Sequence, residues 1–325
     1  SNGRGYFNVE GSHTLEKFSN DVARDITDPE TKLSVWKRDR LREISNARTA
    51  EQREEIRKRA DLRIPALGSG SDYTAFLQHD GVASLNFGFG GEDGGGIYHS
   101  IYDDFYWYTH FSDTDFVYGR ALAQAGGTAI MRLADADLLP FEFGDFADTV
   151  ETYLKELKAL AQKSQDDIRE RNREIEEGVF QATSDPKRPL VPPPVEAVPP
   201  HLNFAPLENA VDALKRSAAE YHQAVEQVNA KSGALSASFA EVNQLLIASE
   251  RKLTNTAGLP NRPWFKHQLY APGFYTGYAV KTVPAVREAI ELKQWKQADE
   301  AIAVVAGVLE QEAALISSAA RKLAP

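Results

Sequence analysis

The chain has 325 residues, 42% of them hydrophobic and 26% charged, with a formal net charge of −10 and no cysteine. That composition is of a soluble globular type and long enough for two domains. Without cysteine there are no disulfides, no thiolate metal site and no cysteine nucleophile, and the acidic balance argues against nucleic acid as a partner.

In chain order the first 145 residues read as α/β. Thr14 to Thr27 is predicted as a helix from Leu15, Phe18 and Val22 at helical spacing. Leu33 to Ala60 is a second, charged helical stretch. Its arginines between Lys37 and Arg63 alternate with Glu43, Glu51, Glu54, Glu55 and Asp61, which makes a solvated face. Pro65 to Gly70 is a turn-rich loop, and Asp72 to His79 is predicted as a short helix capped by Ser71 or Asp72. Val82 to Phe89 alternates as a strand, followed by the glycine run Gly88 to Gly96 and the aromatic string Tyr98 to Tyr108. Asp113 to Leu139 is a long helix ending at Pro140.

From Gly144 onward the pattern becomes helical. Phe146, Val150, Tyr153, Leu157 and Leu160 mark one face, continued by the charged stretch Ser164 to Glu177. A connection from Ser184 to Pro206 holds half of the chain's prolines and is expected to be extended. Leu207, Val211, Leu214, Ala218, Tyr221, Val225 and Val228 then repeat in steps of four and three, as nearly do Leu235, Phe239, Val242, Leu246 and Leu253. Val283 to Leu292 and Gln297 to Leu323 complete a helical bundle with coiled-coil-like seams. Such a seam forms either the core of one chain or an interface with a second copy. No apolar run is expected to span a bilayer. Ser1-Asn2-Gly3-Arg4 reads as an internal cut, with no signal peptide.

The seven histidines form no HxxxH or HExxH pair, so no self-contained zinc motif is present. There is no GxSxG elbow, and neither glycine-rich stretch ends in the GK[ST] of a phosphate loop. His99 stands out in Ile97-Tyr98-His99-Ser100-Ile101-Tyr102-Asp103-Asp104, after a glycine run that can approach a ligand closely. An imidazole beside a phenol suits metal-assisted hydrolysis, the nitrogen binding the metal and the hydroxyl donating to an oxyanion. The alternative is a partly buried histidine, hydrogen-bonded within an aromatic core. Asp103 and Asp104 either orient His99 or cap the following helix.

Three ordered segments resemble the M28 zinc peptidases of the glutamate carboxypeptidase II and transferrin-receptor branch. They are Leu67-Gly68-Ser69-Gly70-Ser71-Asp72-Tyr73 with Gly81-Val82-Ala83-Ser84; Tyr98-His99-Ser100-Ile101-Tyr102-Asp103 leading to Leu139-Pro140-Phe141; and Gly258-Leu259-Pro260-Asn261-Arg262-Pro263-Trp264 with His267 and Tyr270-Ala271-Pro272. The charged stretch at 33–60 and the proline-rich one at 184–206 are insertions on that pattern. The resemblance implies the C-terminal part of a zinc-exopeptidase α/β sandwich over residues 1–144, and a helical dimerisation domain over 145–325. It implies His99 as a zinc ligand and Tyr98 as the donor to the tetrahedral intermediate. Ser69, Gly70 and Ser71 would line the substrate cleft, with Tyr278 at the terminal carboxylate.

By the same resemblance a complete site holds two Zn²⁺ ions. The remaining ligands and the glutamate base lie upstream of Ser1, so the chain by itself is expected to be inactive. Its implied partners are that N-terminal peptidase part, a second copy of itself and a peptide substrate. Gly277 replaces the lysine of glutamate-specific members, and Glu16, Asn86 and Gly88 stand where those members have arginines, which argues against a preference for C-terminal glutamate. His267 reads as structural, and Trp264 and Tyr270 as packing residues. A receptor or scaffold that kept the fold and lost the chemistry is the rival expectation. The resemblance also implies export, to the periplasm or outside the cell.

Overall fold

The computed structural model describes residues 3–92, 97–230 and 239–323. Leu235 and the end of the 88–96 glycine run, two features singled out in the sequence, lie outside the described residues.

Strand β1 (Gly5–Gly11) pairs antiparallel with β2 (Leu85–Gly91), setting Phe7 opposite Phe89 and Val9 opposite Phe87. β1 was not anticipated from sequence, although its inward Phe7 and Val9 alternate as a strand requires. A short 3-10 turn (His13–Leu15) leads into α1 (Glu16–Asp25). Phe18, Val22, Ala23 and Ile26 pack with Phe7, Phe89 and Tyr118, Ala121, Ala125 and Ala129 of α5 (Val117–Ala134) in a compact apolar cluster. α5 is shorter than expected. Phe116 takes a left-handed backbone at φ 56°, and the buried Asp113 carboxylate accepts from the Tyr118 and Gly119 amides to close the first turn.

The charged stretch is two helices, not one: α2 (Val35–Asn46) and α3 (Ala50–Lys58). Thr49 and Gln52 form a capping box that starts α3 afresh, which is the physical reason for the break. Val35 is the one residue of the two helices that is buried. Arg38 and Arg42 each lie 4.5 Å from the Tyr6 ring, so the solvated face expected of this stretch still holds to the body of the protein. The short helix predicted at 72–79 is instead a π-helical turn (Ala75–Asp80), ended by Gly81 at φ 65°. A single-turn helix, α4 (Phe105–Trp107), follows the aromatic string, and Asp104 caps it by accepting from the Trp107 amide at 2.9 Å.

α6 (Gly144–Glu176) joins the two predicted helical stretches into one of 33 residues, about 50 Å long. A short α7 (Val179–Thr183) turns the chain into the proline-rich segment, which runs back along α6 without regular structure. Asn172 exchanges two hydrogen bonds with the Glu196 backbone, and the Gln165 amide donates to the Pro199 and Pro200 carbonyls. α8 (Ala205–Ala230), α9 (Phe239–Lys252), α10 (Pro284–Glu291) and α11 (Trp295–Leu323) form the bundle, with α11 packed on α8, α9 and α10. Leu207, Val211, Leu214, Ala218 and Tyr221 of the first seam are buried, as are Val242, Leu246 and Leu253 of the second. These seams therefore form the core of one chain. A second small ribbon, β3 (Tyr270–Pro272) with β4 (Val280–Thr282), links α9 to α10.

No sheet among the described residues exceeds two strands, so the fold of this chain is mostly helical. The expected α/β sandwich is not seen among the described residues, where the β1–β2 ribbon packs with α1 and α5. Contrary to the expectation from apolar runs, α11 has the length and composition of a membrane span. Half of that stretch is buried in the bundle, and such composition is what a central core helix needs.

Candidate functional site

The loop Leu67 to Ser71 is held from two sides. Leu67 is fully buried, and the buried Gln78 amide donates to the carbonyls of Leu67 (3.1 Å) and Gly68 (2.9 Å). On the other side the Ser69 amide donates to the Tyr278 carbonyl at 3.0 Å. A Cβ at Gly68 would sit 2.0 Å from that same carbonyl, and one at Gly70 would meet the Tyr278 ring at 2.9 Å. Only glycine lets loop and ring approach so closely, and Gly70 also adopts φ 102°. The structure thus brings Ser69 and Gly70 against Tyr278, which lies on the loop between β3 and β4. Ser71 sits in the same turn, its carbonyl accepting from Thr74.

Tyr98 and His99 stand on a different segment. Their rings stack at 3.8 Å, and His99 has a left-handed backbone at φ 63°. Both side chains are exposed, so His99 is not the partly buried core histidine that the sequence allowed as an alternative. Among the described residues its ring nitrogens form no hydrogen bond, and its side chain is exposed. Strained non-glycine backbone of this kind gathers at functional sites. Asp104 is committed to capping α4, and Asp103 is exposed. Around the pair Ile101, Tyr102, Phe105, Tyr106 and Phe111 are exposed as well. Among the described residues no group of three His, Asp or Glu side chains could hold a metal ion, so no ligand set is assembled around His99.

Sequence reasoning missed a buried polar network next to the 67–71 loop's Gln78 support. Glu250 on α9 accepts from His267 at 2.9 Å and from the Tyr270 hydroxyl, and all three side chains are fully buried. His267 Nδ1 accepts the amides of Leu269 and Tyr270, which places the ring proton on Nε2 facing Glu250. His267 is structural, as expected, and Tyr270 packs on its ring at 4.1 Å. Burial alone would raise the Glu250 carboxyl; the hydrogen bonds from His267 and Tyr270 outweigh it and hold the carboxyl below its usual range. Burial and the Glu250 charge push the Tyr270 phenol well up. Close by, His13 is 2.7 Å from the Tyr153 hydroxyl, and burial lowers its pKa to about 4. The signal available in sequence was Glu250, a charge at an inward position of the α9 seam.

The positions compared with an arginine cluster serve other ends. Glu16 is buried, pairs with Arg59 at 3.0 Å and accepts from the Ile64 amide; burial raises its carboxyl to about 7. Asn86 is exposed on β2, and Gly88 has open space around it.

Residues 202–317 match the family described as the transferrin receptor-like dimerisation domain. The chain is 33% identical over 224 residues to a probable glutamate carboxypeptidase of Arabidopsis thaliana, covering 69% of this chain and 27% of that protein. It is 30% identical over 256 residues to a probable glutamate carboxypeptidase of Arthroderma benhamiae, covering 76% of this chain and 30% of that one. With the aminopeptidase NAALADL1 of Rattus norvegicus it shares 23% identity over 264 residues, 77% of this chain and 31% of that protein. The chain belongs to the glutamate carboxypeptidase and transferrin-receptor-like family. It corresponds to the C-terminal region of these family members and spans under a third of the length of the three relatives above. The family's dimerisation-domain match falls on α8 to α11, the bundle described above.

Proposed function

We propose that the chain is the C-terminal part of an M28-type zinc exopeptidase, which removes terminal residues from peptides. Hydrolysis adds water across the peptide bond, the hydroxyl going to the acyl carbon and the proton to the leaving amine. In this reading residues 1–144 are the end of the peptidase domain, the β1–β2 ribbon extending an α/β sandwich whose other strands come from an upstream part. Residues 145–325 form a two-fold dimer module. The protein acts outside the cytoplasm.

The observation that carries this reading is the Tyr98–His99 turn, an open imidazole and a phenol stacked at 3.8 Å on strained backbone. His99 contributes one zinc ligand, and the remaining ligands and the carboxylate base come from upstream. When bound, two Zn²⁺ ions supply Lewis acidity and an activated water. The Tyr98 hydroxyl donates to the oxyanion as the carbonyl becomes tetrahedral. Ser69, Gly70 and Ser71 hold the leaving amine with backbone groups, and Tyr278 orients the terminal carboxylate.

The test is His99→Ala in the protein with its upstream part present. One zinc equivalent and most of the peptidase activity should be lost; unchanged metal content and turnover reject the assignment. A second reading, a scaffold of the same fold without activity, is supported by the match of residues 202–317 to the transferrin receptor-like dimerisation domain. Elemental analysis separates the two, with about two zinc ions per subunit for the enzyme and none for the scaffold.

A further inference from the structure

The loop between β3 and β4 carries three large rings out into solvent, and one of them, Tyr278, lies against the Gly68–Gly70 loop. Phe274, Tyr275 and Tyr278 are 45%, 78% and 73% exposed. Phe274 and Tyr275 meet edge to face at 4.7 Å, so they form a shaped surface and not isolated side chains. Hydrogen bonds fix the base of that loop. The Phe274 amide donates to Glu288 at 2.7 Å, and the Thr276 hydroxyl donates to the Ala279 carbonyl at 2.8 Å. Tyr278 is set by its ring contact with Gly70 and its carbonyl bond to Ser69.

Of the cations on the two segments that build this corner, 66–81 and 259–283, Arg262 and Lys281 are paired with carboxylates, and the others are hydrogen-bonded to neighbours. Arg262 forks onto both oxygens of Glu288, at 3.1 and 2.9 Å, with its side chain largely buried. Lys281 pairs with Glu291. Lys266 donates to His79 at 2.9 Å, whose other nitrogen donates to the Trp264 carbonyl at 2.8 Å. His267 is buried on Glu250. Asp72 is exposed within the glycine loop's own turn and adds a negative charge there. Detaching a paired cation to meet a substrate carboxylate would leave its own partner unmatched.

We propose that the substrate residue seated against the exposed face of Tyr278, beside the Gly68–Gly70 loop, is aromatic or large and apolar, not acidic, with Tyr275 and Phe274 of the same loop supplying the contact to its side chain. This rests on the peptidase reading above and names the substrate class for that site. Aromatic rings give such a surface broad apolar contact at little entropic cost, and one methylene in an apolar specificity site changes kcat/KM about 10- to 200-fold.

Dipeptides with the same first residue test the idea without assuming which end is recognised, because the leaving residue is the same in both modes. In the zinc-loaded protein with its upstream part, kcat/KM for Ala-Phe should exceed that for Ala-Glu by at least about tenfold. Tyr275→Ala should bring that ratio down several-fold. Equal or faster cleavage of Ala-Glu, or a ratio untouched by Tyr275→Ala, overturns the proposal. If neither dipeptide is cleaved, the peptidase reading fails by itself. Calorimetric binding of L-phenylalanine and L-glutamate to the same protein then decides the preference: tighter phenylalanine supports it, and tighter or equal glutamate overturns it.

Discussion

The imidazole of His267 donates from Nε2 to Oε1 of Glu250 across 2.9 Å, and neither side chain is exposed to solvent. This contact fastens the segment before β3 to α9, and through Gln78 it reaches the candidate cleft. The Gln78 carbonyl accepts from the Lys266 amide at 2.8 Å while its side chain holds the Gly68 carbonyl. Removing one partner strands a buried carboxylate, so His267→Ala should cost about 3–5 kcal/mol in urea unfolding. A loss below about 1 kcal/mol, read as a midpoint shift of less than about 1 M at equal slope, would show that the contact is dispensable. The Glu250 carboxyl lies below its usual range, so the stability it contributes is present above about pH 4.5 and is lost as pH falls through its folded pKa.

Two other buried groups titrate against each other. His13 ionises near 6.5 when unfolded and about 4 when folded, so its contribution is full above pH 6.5 and falls away toward pH 4. Glu16 runs the other way. Its folded pKa of about 7 exceeds the unfolded 4.5, so its contribution is present below pH 4.5 and lost as pH rises through 7. Each spans about 3 kcal/mol at most. Stability should therefore vary little between pH 4.5 and 6.5 on their account, where the two slopes oppose. Glu16→Gln should expose a rise with pH, and His13→Phe a fall. Chemical denaturation at half-unit pH steps checks both, and parallel curves for the two variants would contradict the assignment.

The glycines of the candidate cleft give a steric prediction. Gly68→Ala puts a methyl 2.0 Å from the Tyr278 carbonyl, backbone that cannot swing aside. The β3–β4 loop must shift, at about 1–3 kcal/mol. Hydrogen exchange should quicken in residues 270–282, and the Ser69 amide should lose protection. Unchanged exchange there would mean that the contact does not clamp the loop.

The bundle seams are filled within one chain, so a dimer must use other faces than these seams. Static light scattering on the chain at micromolar concentration should report a two-fold dimer mass. A monomer mass across the range would assign the matched domain a different role in this protein.

Much of the helical half was legible because its apolar spacing is long and regular. The steps from Leu207 to Tyr221 specify both the helix and its buried face. The 33–60 stretch was harder, because charged residues carry no face to read and the break depends on the local hydrogen bonds of Thr49 and Gln52. β1 hid among glycines, and only its pairing with β2 makes it a strand. The site residues divide similarly. His99 could be singled out by its neighbours, but its exposure and left-handed backbone could not. Gln78 had no signal at all, since its role lies in two carbonyls 10 and 11 residues away.

By itself the sequence determined the helical periodicity, the acidic cysteine-free composition and the ordered segments that carry the family likeness. These are local properties, fixed by side-chain type and spacing. The tertiary structure alone decided that Glu250, His267 and Tyr270 share one buried site, and that Gly70 lies under the Tyr278 ring. Such contacts join residues far apart in the chain, and their energies depend on burial and mutual geometry, which no stretch of sequence encodes by itself.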